Sequence, residues 1–354
     1  MLLLLIVSTL AFLLSLLNFL TIRRVRDKPA TINRKIAILI PMRNEARNVR
    51  DCISSVVAQK GLTDFEVIVL DDHSTDDTSA LLSEFKEIKT ITGQPLPQGW
   101  LGKNWACHQL SQAASGEILV FLDADVRLRE NAVASAISAM GSWDFISPYP
   151  RQMSIGFIES IFQPLLHWSW FASVPLIISQ RFRVKSMVVA NGQFLVINKI
   201  SYLTAGGHAE IKGEVLDDLE LAKLLVTNGF RGNVAEGSDV ADCLMYQTPM
   251  ELISGYQKSL WRAFGGLAGS IFVALLLLST GLLSLILALA GSGLAALSFI
   301  LILSSRTLSS IRAKNSITKV LWHPVAILIF VGILTYSWIG KYRGSLKWRD
   351  RVIS

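Results

Sequence analysis

No charged residue interrupts the run from Met1 to Ile22, and none occurs between Gly265 and Ser305. A bilayer core needs about 20 such apolar residues, so an entirely soluble chain is excluded as the working assumption. Cysteine is scarce. Cys52, Cys107 and Cys243 are far apart, and no CxxC or Cys/His cluster suggests a disulfide framework or a zinc site. That usage fits a reducing, cytoplasmic setting. A basic module interleaved with aromatics is also missing, so the net charge of +7 is not read as nucleic-acid binding. The excess sits in short runs beside apolar segments, such as Arg23, Arg24 and Arg26, where it argues for membrane orientation. No internal repeat or low-complexity linker is visible.

Hydrophobic residues make up 51% of the 354 residues, and the surplus lies at the two ends. Residues 1–22 read as an uncleaved anchor, because the basic residues follow the run and no cleavage site is evident. Arg23 to Lys28 would then be cytoplasmic. Residues 265–305 are too long for one crossing and read as a hairpin turning near Gly291 to Gly293. Residues 320–340 form a third candidate span. Three C-terminal spans would place the basic tail, 341–354, across the membrane from the middle of the chain, against the positive-inside rule. One of them is therefore expected to be re-entrant or interfacial. The aromatic segment 156–178 is broken by Glu159, Gln163, Pro164 and His167, and reads as interfacial, with an ordinary core helix as the alternative.

Between these ends the pattern changes. "IAILIP" (Ile36 to Pro41), "FEVIVL" (Phe65 to Leu70) and Ile118 to Leu122 are short apolar runs bounded by turn residues. Helical stretches separate them, at Ala46 to Lys60 and Thr78 to Phe85. Alternating strands and helices argue for a parallel α/β sheet, with ligands beyond the carboxyl ends of the strands.

Acidic clusters stand at those ends. Asp123 and Asp125 are spaced as D-x-D, and both can face one hard cation whose shell a diphosphate completes; solvated loop aspartates are the plainer reading. In "VLDDHSTDDT", the acids after the second strand suit a base or sugar hydroxyl, or an Asx turn with a helix cap. Asp217 and Asp218 open a helical stretch, where acids favour the dipole or one serves as a general base. Gln257 and Trp261 share a helix face, a pattern that an interfacial anchor also shows.

Together, these residues resemble the family-2 glycosyltransferases of GT-A fold, from about Lys35 to Trp261. That resemblance implies a Rossmann-like mixed sheet in a cytoplasmic catalytic domain, 30–262, between N-terminal and C-terminal transmembrane helices. "IPMRNEARNV" resembles the family's first strand and loop, implying substrate contacts from Pro41, Arg43, Asn44 and Glu45. Asp72 would meet the nucleotide base. "FLDADV" resembles the metal motif, with Asp125 the direct ligand of Mg²⁺ or Mn²⁺ and Asp123 toward the ribose or metal. "LDDLELA" resembles the Glu-Asp base motif, with Asp217 in place of the Glu and Asp218 as the base. "QKSLW" resembles Gln-x-x-Arg-Trp, implying roles for Gln257 and Trp261. Leu260 occupies the Arg position, which argues against a processive polysaccharide synthase.

"GWLGKNWAC" and "GGHAEIKGEVLDDLELA" resemble the hopene-associated and carotenoid-type members. Lys103 would contact the donor phosphates. His208 is read as a packed loop histidine, with a place in the acceptor pocket as the alternative. The expected activity is inverting transfer of one sugar from a nucleotide-sugar, a UDP-sugar favoured, to a membrane lipid of carotenoid or hopanoid type at the plasma membrane. The alternatives are a polyprenyl-phosphate acceptor and a catalytically silent membrane scaffold.

Overall fold

The computed structural model describes residues 1–348 and 351–352. Positions 349–350 and 353–354 of the basic tail lie outside the described residues. The chain divides into two compact units.

One unit comprises residues 23–151 and 178–243. Its main sheet has seven strands: β1 (Ile36–Met42), β2 (Phe65–Asp71), β3 (Lys89–Thr92), β4 (Ile118–Leu122), β5 (Phe145–Tyr149), β6 (Phe194–Asn198) and β7 (Gly232–Glu236). Their order is β3-β2-β1-β4-β6-β5-β7. β1 runs parallel to β2 and β4. β6 is antiparallel to both β4 and β5, so the sheet is mixed and not parallel throughout as the alternation alone suggested; the inverted strand "FLVIN" carries no sequence mark of its direction. β1 and β4 are apolar on both faces because both faces are covered; every residue of β4 is buried. The Ala46–Val57 helix buries Val49, Cys52, Ile53 and Val56, the spacing of one helical stripe.

The topology puts the ends of β1, β2 and β4 on one edge. The strand order runs outward from β1 to β2 and β3 on one side and to β4 on the other, and such a switch point leaves a natural crevice at this edge. Backbone geometry there is specialised: Asn44 and His73 have φ of 52° and 55°, and the two loops are laced together. The Asn44 N–H donates to Ser74 Oγ at 3.0 Å, and the Thr75 N–H donates to Asn44 Oδ1 at 2.8 Å.

The other unit comprises residues 1–22, 152–177 and 244 onward. Among the described residues, four helices are long and apolar enough to cross a membrane: Leu2–Thr21, Leu267–Leu289, Gly293–Arg312 and Thr318–Tyr342. The aromatic segment forms the Phe157–Phe171 helix. Its polar residues Glu159, Gln163 and His167 are buried inside this unit. Ile161, Phe162, Leu165 and Trp168 pack with Phe330, Ile333 and Leu334 in one apolar cluster. The α/β unit is thus discontinuous, and the aromatic segment packs with the apolar helices because that is where its hydrophobic face finds partners.

Gly116, just before β4, packs closely against the start of β1. A Cβ there would lie 2.4 Å from the Ala37 nitrogen and 2.7 Å from the Ile36 carbonyl carbon. Gly116→Ala is expected to cost about 1–3 kcal/mol, read as a drop of several degrees in the apparent Tm of detergent-purified protein. An unchanged Tm would contradict this packing.

Candidate active site

At the carboxyl ends of β1 and β4, a cavity is lined by Pro41, Lys103, Asp123, His208, Asp217 and Asp218, with Gly192 and Cys107. Five of these were expected from sequence as site residues. Lys103 comes from the helix Gly102–Ala113. That helix start is tied to the loop before Asp217: Asn104 Nδ2 donates to the Ile211 and Glu214 carbonyls at 2.8 and 3.0 Å, and the Leu101 N–H donates to the Lys212 carbonyl at 2.8 Å.

Lys103 Nζ lies 2.9 and 3.0 Å from the two oxygens of Asp123, and 3.5 Å from Asp217 Oδ2. Burial pulls the Lys103 ammonium down. The carboxylates of Asp123 and Asp217 outweigh it and hold the ammonium well above its ordinary value. Gly192 makes room for this arrangement, since a Cβ there would meet Asp218 Cβ at 3.2 Å and Lys103 Nζ at 3.3 Å.

Asp218 is held through both oxygens. The Gly192 N–H donates to Oδ2 and the Leu219 N–H to Oδ1, each at 2.8 Å. Burial and the neighbouring Asp217 carboxylate push its pKa up to about 6, with Lys103 and these N–H groups opposing. Asp218 is therefore a carboxylate poised just below neutrality, which suits a general base.

Asp125 sits in the turn after β4, where the Val126 N–H donates to the Asp123 carbonyl at 3.2 Å. Arg127 braces that turn, donating to the Ala124 carbonyl at 2.8 Å and to Asn48 Oδ1 at 2.9 Å. Asn48 in turn donates to Glu45 Oε2 at 2.7 Å. Burial, then Asp123 and Glu45, push the Asp125 pKa up to about 7. Its Oδ1 is buried and without a hydrogen-bond partner, the condition of an acceptor that a hard cation would satisfy. Among the described residues, no three His, Cys, Asp or Glu side chains converge as a ready metal cage. A cation held by Asp125 would take most of its shell from other oxygens, as Mg²⁺ commonly does.

Asp72 is buried, with Oδ2 3.8 Å from Arg43 Nη1, which also donates to the Asp72 carbonyl at 2.5 Å. Arg43, Asn44, Glu45, Asp72 and Asp125 thus gather on the same sheet edge as the cavity. Gln257 and Trp261 belong to the other unit. There Ser337 Oγ donates to the Gln257 carbonyl at 2.5 Å, the Trp261 N–H donates to Ser337 Oγ at 3.0 Å, and Lys341 Nζ lies 4.4 Å from the Trp261 ring centroid.

His208 lines the cavity, where sequence reasoning favoured a packed loop residue. The histidine is packed as that reading has it. It is buried, with Nδ1 2.8 Å from Tyr202 Oη and its ring edge-on to Phe121 at 5.0 Å. Gly207, at φ 58°, allows the Tyr202 ring to approach; a Cβ would lie 2.4 Å from it. Burial lowers the His208 pKa to about 4, so the imidazole is neutral at physiological pH. Tyr202 carried no readable signal, since a tyrosine in a short helix is usually core.

Residues 37–190 match the family described as Glycosyl transferase family 2. The chain is 25% identical over 350 residues to the 4,4'-diaponeurosporenoate glycosyltransferase of Staphylococcus aureus (strain USA300), across 94% of this chain and 92% of the relative. Its fold is similar to that of the mannosyltransferase PcManGT from Pyrobaculum calidifontis, solved in complex with GDP-Man and Mn²⁺. The TM-score is 0.51 at 15% identity, covering 96% of this chain and 99% of the other. The α/β unit thus contains most of the segment that matches the family-2 glycosyltransferase model, and the chain's fold is similar to that of a solved glycosyltransferase.

Removing the cavity's ammonium leaves Asp123 and Asp217 without their countercharge. Lys103→Met is expected to lower the apparent Tm by several degrees and Lys103→Arg by much less, because the neutral side chain leaves two carboxylates facing each other without a countercharge. An equal loss in both variants would contradict this role for Lys103.

Proposed function

We propose that the chain transfers a single sugar from a nucleotide-sugar, a UDP-sugar favoured, to a membrane lipid, with inversion at the anomeric carbon. The observation that carries the reading is the Asp218 carboxylate. Two backbone N–H groups aim it, and it faces the same cavity as Asp123 and Lys103. A base and a donor-side acid beside one cavity are what a direct displacement needs.

In this reading Asp218 takes the proton from the acceptor hydroxyl. The acceptor oxygen bonds to the anomeric carbon as the bond to the diphosphate oxygen breaks. Asp217, through Lys103, keeps the ammonium beside the donor side, where Lys103 meets the donor phosphates. Asp72 accepts from the nucleotide base, and Pro41, Arg43, Asn44 and Glu45 shape that end of the crevice. Asp125 would hold Mg²⁺ or Mn²⁺ directly, with Asp123 toward the ribose or metal. Such a cation would supply Lewis-acid stabilisation of the leaving diphosphate. Gln257 and Trp261 are proposed as further substrate contacts from their motif.

The lipid acceptor is supported by the relative named for 4,4'-diaponeurosporenoate and by the candidate membrane helices. A carotenoid or hopanoid-type isoprenoid is the acceptor class proposed. The catalytic unit is placed on the cytoplasmic side of the plasma membrane, following the basic run after the first span. A polyprenyl-phosphate acceptor would call for a basic pocket. The cavity's lining holds Lys103 as its strong cation, and that ammonium is engaged by Asp123 and Asp217. A silent scaffold would have no use for an aimed, raised-pKa carboxylate.

Purified protein in detergent with Mn²⁺ and a total lipid extract is expected to move labelled sugar from a UDP-sugar into the lipid phase. Asp218→Asn should reduce this by about 10²–10⁴-fold, the usual contribution of a general base. Donor turnover without lipid labelling would reject the acceptor class, and no donor turnover would reject the transferase. In the wild type, kcat/KM should rise with pH through about 6, because Asp218 must lose its proton and its pKa is raised to about that value. A profile flat from pH 5 to 8 would remove Asp218 as the base.

A further inference from the structure

The apolar unit holds a contradiction between its helix count and its charge, and its internal contacts resolve it. The Leu2–Thr21 and Gly293–Arg312 helices run parallel. Ser15 Oγ meets Ser305 Oγ at 2.7 Å, and Arg312 lies over the Phe19 ring at 4.1 Å. Thr21 and Arg312 therefore mark the same end of the bundle. Leu267–Leu289 is joined to Gly293–Arg312 through a tight turn with Gly291 at φ 93°, and runs back against it, so Leu267 also starts at that end. Each of these three helices is about 30–35 Å long at 1.5 Å per residue, enough to cross a hydrocarbon core of about 30 Å.

The last helix behaves differently. Its start, His323, reaches Arg306 with Nδ1 2.6 Å from Nη1, about 9 Å before the Arg312 end. His323 and Ile327 also pack on Gly281, in the middle of the Leu267–Leu289 rod. Trp338, near its finish, donates from Nε1 to Ser270 Oγ at 3.0 Å, close to the start of that rod. The last helix thus begins inside the bundle and runs toward the end that holds Thr21, Leu267 and Arg312.

The Phe157–Phe171 helix lies crosswise. Ile161, His167 and Trp168 contact Arg306, Ser309 and Ser305, and Phe171 contacts Asn18. From Ile161 to Phe171 the helix advances about 15 Å, while Ser305 to Ser309 covers about 6 Å. A helix crossing beside Gly293–Arg312 would advance in step with it.

Charge agrees with this arrangement. Arg23, Arg24, Arg26 and Lys28 follow Thr21; Arg312, Lys314 and Lys319 follow the second crossing helix; Lys341 and Arg343 end the last one. The opposite end, Ala290 to Gly293, carries no charged side chain.

We propose that the chain crosses the bilayer three times. The Phe157–Phe171 helix lies in the plane of the basic-side interface. The final helix enters from that side and returns to it, so that the bundle presents a single basic, aromatic-lined face to the anionic cytoplasmic leaflet. The tail and the residues after the first span then share one side.

Membrane-impermeant maleimide labelling of the full chain, in intact cells against inverted vesicles, tests this. The native Cys52, Cys107 and Cys243 are buried, so background is low. Introduced cysteines are Gly293→Cys at the uncharged turn and Ser316→Cys, Ser345→Cys, Met153→Cys and Ser186→Cys elsewhere; all five positions are exposed. The expected result is labelling of Gly293→Cys from outside only, and of the other four from the cytoplasmic side only. Ser345→Cys labelled from the same side as Gly293→Cys would overturn the returning helix. Met153→Cys and Ser186→Cys on opposite sides would overturn the in-plane helix. Gly293→Cys on the side of Ser316→Cys would overturn the crossings themselves.

Discussion

The candidate site of the α/β unit is organised around one ion cluster. Lys103 bridges Asp123 at 2.9 Å and Asp217 at 3.5 Å, and thereby joins three separate chain segments: the Gly102 helix start, the β4 end and the Asp217 helix start. Without the ammonium, two carboxylates from different elements would share this confined space with no countercharge. The Lys103 cluster lets the site concentrate acids. Asp218 is left beside it, partly shielded, with its pKa raised and its oxygens fixed by backbone donors.

That arrangement divides the labour among the acids. Asp123 is neutralised internally, whereas Asp125 keeps a buried oxygen without a partner. Asp218 is aimed by Gly192 and Leu219. His208 adds a neutral imidazole, held by Tyr202 and made possible by Gly207. The acids of this site are distinguished by their partners, not by residue type.

Much of this was legible in sequence. β1, β2 and β4 were readable to within about one residue, because fully buried parallel strands are continuous apolar runs that end in turn residues. β6 was not, because the inverted strand "FLVIN" has the same composition and only the finished sheet assigns its direction. The site acids were visible as clusters at strand ends. Their pairing was not, since Lys103 and Asp123 meet only once the Gly102 helix is docked on the 211–214 loop. The aromatic segment was recognisable as amphiphilic, but its crosswise lie follows from Arg306, Ser305 and Ser309 on a distant helix. The last helix looked like any span by composition, and its direction is set by contacts at Gly281 and Ser270.

The central claim is that the β1–β4 edge is a nucleotide-sugar site completed by a cation on Asp125. Calorimetric titration of UDP and GDP into the detergent-purified protein, with and without Mn²⁺, tests it most directly. The account predicts nucleotide binding that strengthens with Mn²⁺ in the wild type and loses that dependence in Asp125→Asn. Binding indifferent to Mn²⁺ and to Asp125→Asn, or no nucleotide binding at all, would contradict it.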